Sequence, residues 1–209
     1  MKSIRRSALC VIFFMSAAAP VFCQGFYFAD APKLVIGGDA GIFRINYDPF
    51  GDAFGSKWAS SPGLHGSLRI KTPYNLVVKY KQFEKTGVQT IDNVSVPISW
   101  DQNWINIGVR HLRWADEGGA SFFSFGISLF NIEEMGSLGI LPQRNDIKDG
   151  KTDTGGFFLD FGVHYPLFNY LALTAEMELT SASIGGGASF QGSSIGGLNV
   201  SVGLSLLPF

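Results

Sequence analysis

After residue 33 apolar and polar positions alternate with a period of two along most of the chain, which predicts strands with one apolar and one polar face. Eight such segments can be marked. Over 34–43, Leu34, Ile36, Ala40 and Ile42 oppose Gly37, Asp39 and Gly41. Over 64–71, Leu64, Leu68 and Ile70 oppose His65, Ser67, Arg69 and Lys71. Over 76–83, Leu76, Val78 and Tyr80 oppose Lys79 and Lys81. Over 103–113, Ile105, Ile107 and Val109 oppose Asn106, Gly108 and Arg110. The segment 121–130 sets Phe123, Phe125, Ile127 and Leu129 against Ser124, Gly126 and Ser128. In 157–165, Phe157, Leu159, Phe161, Val163 and Tyr165 oppose Asp160, Gly162 and His164. In 170–179, Leu171, Leu173, Ala175, Met177 and Leu179 oppose Thr174, Glu176 and Glu178. In 198–206, Leu198, Val200, Val202, Leu204 and Leu206 oppose Asn199, Ser201, Gly203 and Ser205. Charged residues inside the segments keep to the polar face. Arg44 and Arg113 stand at segment ends, where a long side chain can snorkel.

The links between segments alternate in length. Short ones at 72–75, 114–120 and 166–169 separate long ones at 44–63, 84–102, 131–156 and 180–197. An even number of antiparallel strands, each of about 9 to 11 residues, joined by tight turns on one side and long loops on the other, predicts a closed transmembrane barrel. Closure also pairs every backbone group, which a lipid environment demands. The strand–turn–strand stretch 161–179 and the terminal aromatic Phe209 resemble the eight-stranded bacterial outer-membrane β-barrel family, of the OmpA transmembrane domain, OmpX and opacity-protein type. The resemblance is one of pattern over residues 24–209. It implies an outer-membrane location, contact with outer-membrane lipid, and assembly by chaperones and barrel-assembly machinery that reads Phe209. Here Phe209 is out of phase with the even-numbered apolar residues of 198–206. Either a bulge near Leu206-Leu207 resets the phase, or Phe209 is a poor assembly signal.

The first residues carry a different message. Lys2, Arg5 and Arg6 precede an apolar stretch at 8–15 and small residues at 16–19, the tripartite pattern of a secretory signal peptide. Cleavage before Gln24 assigns 1–23 to the leader and 24–209 to the barrel; a lipidated Cys23 is the alternative, disfavoured by bulky Phe22. Both cysteines, Cys10 and Cys23, lie in the leader, so the barrel has no disulfide and no thiol chemistry. Composition then sharpens the picture. The 209 residues include 26 Gly and are 46% hydrophobic but only 16% charged, with a net charge of -1. Such a balance excludes a disordered tail and a nucleic-acid binder. No apolar run beyond the leader is long enough for a membrane-spanning helix.

Candidate chemistry sits on the polar face, rich in Gly and Ser as a narrow lumen requires. Its charges are Asp39, Arg69, Lys71, Lys79, Lys81, Arg110, Asp160, Glu176 and Glu178. The third and seventh segments face each other across an eight-strand ring, so Lys79 and Lys81 can reach Glu176 and Glu178, and Asp39 is a neighbour-strand partner for Arg69. The expectation is a salt-bridged plug. Tyr165, Phe168 and Tyr170 are expected at the periplasmic interface, and Tyr47, Tyr80, Trp100 and Trp104 at the outer one. No acid orients His65 in the sequence, and His111 and His164 are scattered, which argues against a hydrolase of lipid A and against a metal site. No cofactor is expected. The function expected is non-enzymatic: a structural barrel, or one that binds an extracellular ligand or host component through its loops, among them 49–61, Glu133-Glu134, 144–153 and 185–197. A small passive pore is the alternative, with a lipid-A-modifying enzyme or a soluble lipocalin-like carrier behind it.

Overall fold

A computed structural model describes residues 32–91, 94–115, 118–135, 150–184 and 194–208. The leader, Phe209 and most of the loop stretches at 144–153 and 185–197 lie outside the described residues. The strands are β1 (Leu34–Ile45), β2 (Trp58–Lys71), β3 (Tyr74–Ile91), β4 (Val94–Trp114), β5 (Ala120–Met135), β6 (Lys151–Phe168), β7 (Leu171–Ala182) and β8 (Gly197–Leu206), with a short helix α1 (Asp48–Phe54) between β1 and β2. Each strand pairs antiparallel with its neighbours, and β8 closes on β1.

The ladder register fixes the shape. From Lys79 one path of facing residues runs through Asn106, Ser128 and Gly156 to Ala182 on β7. The opposite path runs through His65, Gly37 and Ser205 to Ala172, also on β7. The two paths meet 182 − 172 = 10 residues apart. With roughly 3.3 Å per residue and 4.8 Å between strands, that stagger tilts the strands about 40°. A tilted run of about ten residues then rises about 25 Å, the height of an outer-membrane apolar band.

Alternation does the rest. Ile36, Ile42, Leu64, Ile70, Phe125, Phe157 and Val202 point outward, with Leu64 64% and Ile70 68% exposed. They belong to a continuous apolar girdle far larger than the patches soluble monomers expose. A soluble carrier barrel needs the reverse, so the lipocalin-like alternative fails on this face. Tyr74, Phe168 and Tyr170 stand exposed at the short-turn edge, Trp58 and Tyr80 at the long-loop edge.

Three expectations need correction. Tyr47, Trp100 and Trp104 are not interfacial: all three are buried inside the barrel. Trp100 and Trp104 share even parity with inward Asn106 and Arg110, so the pleat puts them in the lumen. The link at 84–102 is no loop but an extension of β3 and β4, paired up to Ile91 and Val94. Its alternation escapes notice because neither face of this ribbon is uniformly apolar. The stretch at 49–61 holds α1, with Pro49 in its first turn and Gly55 closing it at φ 67, and the start of β2. At the other end, Leu206 is exposed, Leu207 buried and Pro208 exposed, so no bulge resets the phase there.

Luminal glycines make room for rings. Gly108 and Gly126 face each other across β4 and β5, and a Cβ on Gly126 would lie 2.7 Å from the Phe158 ring and 2.2 Å from the Ile107 carbonyl. Gly126→Ala is expected to destabilise the folded barrel by about 1–3 kcal/mol, the usual cost of overpacking. Urea unfolding in lipid vesicles measures this, and an unchanged midpoint would show that the slot is slack.

Candidate functional site: the luminal charge network and its plug

At mid-height the inward residues are charged and buried. Lys79 of β3 extends into a cage of carboxylates. Its Nζ lies 2.6 Å from Asp160 Oδ2 and 2.6 Å from Glu176 Oε1, and it also contacts Glu178. Arg110 of β4 approaches from the side: Nη2 stands 3.3 Å from Asp160 and 3.4 Å from Glu176, while Nε donates to Ser124 Oγ at 2.8 Å. Its guanidinium lies 3.8 Å from the centre of the Phe122 ring. Lys81 pairs with Asp39, donates to Ser201 Oγ at 3.3 Å and lies 3.7 Å from Glu176. Buried charges are tolerated only when paired, and here each finds opposite charge within reach.

His65, outside the expected network, belongs to it. Its Nδ1 is 3.3 Å from Asp39 Oδ2 and its Nε2 3.0 Å from Ser205 Oγ. The chain continues through Thr174 Oγ1 at 2.6 Å from Ser205 to His164 Nδ1 at 2.8 Å. An acid therefore does orient the His65 imidazole, contrary to the sequence expectation. The order carboxylate, imidazole, hydroxyl matches that of serine hydrolases. Ser205 nevertheless has no exposed surface and shares its hydroxyl with Thr174. The alternation of β1 and β2 places Asp39 and His65 on one face, but only the register (Gly37 opposite both His65 and Ser205) brings the three together.

Arg69 and Lys71 do not join. On β2 Arg69 sits six residues past Gly63, the residue opposite Asp39, a run of roughly 20 Å. Arg69 is half-buried at the short-turn end and Lys71 is exposed, beyond a register shift between them. The expected Asp39–Arg69 pair is replaced by Asp39 with Lys81 and His65. The remaining seven expected residues (Asp39, Lys79, Lys81, Arg110, Asp160, Glu176 and Glu178) meet. The carboxylates of Asp160, Glu176 and Glu178 gather within 4.8 Å of one another, close enough for a metal ion. The Lys79 ammonium lies among them and supplies the charge a cation would.

Above this layer is an aromatic plug. Phe43, Phe83, Trp100, Trp104, Phe130 and Ile132 fill the lumen, and Phe50 of α1 packs onto them from above. Trp104 stands 4.9 Å from Phe43 and 5.8 Å from Phe130, ring centre to ring centre. Its indole N–H donates to Glu178 Oε1 at 3.1 Å, tying plug to charge layer. Gln102 accepts from Trp100 Nε1 at 3.2 Å and donates to the Ile195 carbonyl at 3.1 Å.

Outside the girdle, the upper strands carry polar outward residues. Asn103, Asn131 and Asp153 form a hydrogen-bonded ladder, and one step higher Glu84, Asp101 and Glu133 face one another in register. Lys151 pairs with Glu133 at 2.8 Å. Partial burial and then the Glu84 and Glu133 charges push the Asp101 carboxyl up. A raised carboxyl penalises the folded state above the ordinary carboxylate range and not below it. Asp101→Asn is therefore expected to stabilise the barrel at pH 7 by a few tenths of a kcal/mol, as like charges opposite one another at a half-buried but solvent-screened site allow. The gain should vanish below about pH 4; an equal gain at pH 3.5 would contradict it.

A closed antiparallel barrel of eight strands with an apolar girdle, tight turns on one side and extended strands on the other is the fold of bacterial outer-membrane proteins. No protein-family model matches the sequence, and no curated protein matches it. Among solved structures, Neisserial surface protein A is similar at a TM-score of 0.59 with 12% identity, over 86% of this chain and 99% of that one. OprG of Pseudomonas aeruginosa gives 0.57 with 12% identity, over 84% and 95%. Ail, the attachment invasion locus protein of Yersinia pestis, gives 0.50 with 8% identity, over 85% and 99%. The likeness is one of fold.

Proposed function

We propose that the chain is a non-enzymatic outer-membrane barrel with a closed lumen, which supports an extracellular binding surface on a rigid wall. The observation that carries this reading is the filled interior: an aromatic plug resting on a charge layer whose side chains are each at most 5% exposed. Side chains that fill an eight-strand barrel leave a packed core, whereas a conducting pore needs a watered path. That argues against the passive pore. The buried Ser205 hydroxyl argues against a hydrolase.

The surface offered outside is the β3–β4 ribbon and the rim beside it. Binding residues commonly sit on such projections from a rigid scaffold. Ail has been captured with the heparin analogue sucrose octasulfate. The rim described in this chain is acidic, with Glu84, Asp101 and Glu133 in one row, which favours a neutral or cationic host component over a sulfated polymer. Cells displaying the intact barrel are expected to bind a panel of matrix proteins above empty cells, and a variant shortened across 86–97 should lose that binding while still shifting on unboiled gels. Equal binding by the folded short variant, or none by the intact protein, would overturn the reading.

A further inference from the structure

At the short-turn end of the barrel a cavity of about 190 Å³ lies between the β2–β3 turn and the end of β4. Pro32, Pro73, Leu112 and Trp114 give it apolar walls, and half-buried Arg69, buried Asn75 and exposed Arg113 give it polar ones. Arg69 has inward parity with His65 and Ser67. The register sets it opposite Asn75, and Asn75 opposite Arg110. Arg110 spends its charge on Asp160 and Glu176. Arg69 has no carboxylate partner among the described residues, although it is half-buried.

From this we propose that the cavity is a binding site for a small organic monoanion, a carboxylate joined to an apolar body about the size of one ring, entering from the periplasm. A guanidinium stays charged at any accessible pH and presents a planar fork that fits a carboxylate through two hydrogen bonds. Partial burial without a counterion makes that fork an acceptor-seeking group. The walls ask for an apolar body, and the size fits: an apolar cavity of about 150 Å³ accommodates benzene. Arg113 also lines the cavity but is exposed to solvent, and an inorganic phosphate held between the two arginines would leave the apolar walls uncovered. The site is separate from the charge layer and from the extracellular rim, so it stands or falls independently of the binding surface outside.

The refolded full-length barrel in detergent micelles, titrated with 4-fluorobenzoate and followed by fluorine NMR, tests this. Saturable binding is expected, at least tenfold tighter than that of the uncharged 4-fluorobenzyl alcohol. Arg69→Gln should weaken benzoate at least tenfold and leave the alcohol unchanged, with folding verified by the gel shift of the unboiled sample. Arg69→Lys, which keeps the charge and loses the fork, should fall between. Equal affinities for acid and alcohol, benzoate binding that survives Arg69→Gln, or displacement by equimolar inorganic phosphate would each overturn the proposal.

Discussion

Replacing Lys79 by Met is expected to lower the unfolding free energy of the barrel in lipid vesicles by about 3–5 kcal/mol, because it leaves a buried carboxylate cluster without its central cation. Asp160, Glu176 and Glu178 all meet the Lys79 ammonium. Arg110 reaches only two of them, at 3.3 and 3.4 Å, and Glu178 would keep no cation. The remedy follows from the same physics. Glu176→Gln and Glu178→Gln added to Lys79→Met remove the stranded charges, and most of the lost stability should return, since replacing a whole buried ionic group by neutral side chains is often close to neutral. Urea titration with unchanged slope measures both. If Lys79→Met alone proved silent, the ammonium would not be the centre of the layer.

Trp104→Ala should be the next largest loss, about 3–5 kcal/mol, the range for removing a buried aromatic. Trp104 is fully buried, packs on Phe43 and Phe130, and ties the plug to the charge layer through its hydrogen bond to Glu178. Alanine empties the middle of the lumen and takes away a donor from a buried carboxylate oxygen. Trp104→Phe separates the two effects. It keeps most of the packing and should cost about 1–3 kcal/mol, the penalty of an unmade buried hydrogen bond. Equal losses in both variants would assign the whole effect to that bond, and a negligible loss in Trp104→Ala would mean that the plug contributes no cohesion.

Much of this was legible in residue parity. The eight strands, their pairing and the seven charges that meet follow from a two-residue period and an eight-fold ring. Lys79 reaching Glu176 across the lumen needed nothing more. What parity alone could not supply was axial height. Arg69 and Asp39 lie on neighbouring strands with the same facing, yet the register separates them, and the stagger of ten residues is set by closure rather than by any local motif. The same register places His65 between Asp39 and Ser205, although each residue alone looks like an isolated polar side chain. Trp100 and Trp104 depart from expectation for a different reason: the parity that Asn106 and Arg110 define outweighs the general preference of Trp for membrane interfaces. The β3–β4 ribbon is hidden from a period-two pattern because its outward face carries Glu84, Thr86 and Val88 in succession, polar and apolar mixed, as suits a ribbon in water.

Single-channel recording of the purified wild-type barrel in planar lipid bilayers tests the closed lumen most directly. With insertion confirmed by the heat-dependent gel shift and protease protection of the same preparation, the filled interior predicts a flat baseline across applied voltages. A steady, voltage-independent conductance that scales with the amount of inserted protein would show a continuous watered path, and would contradict it.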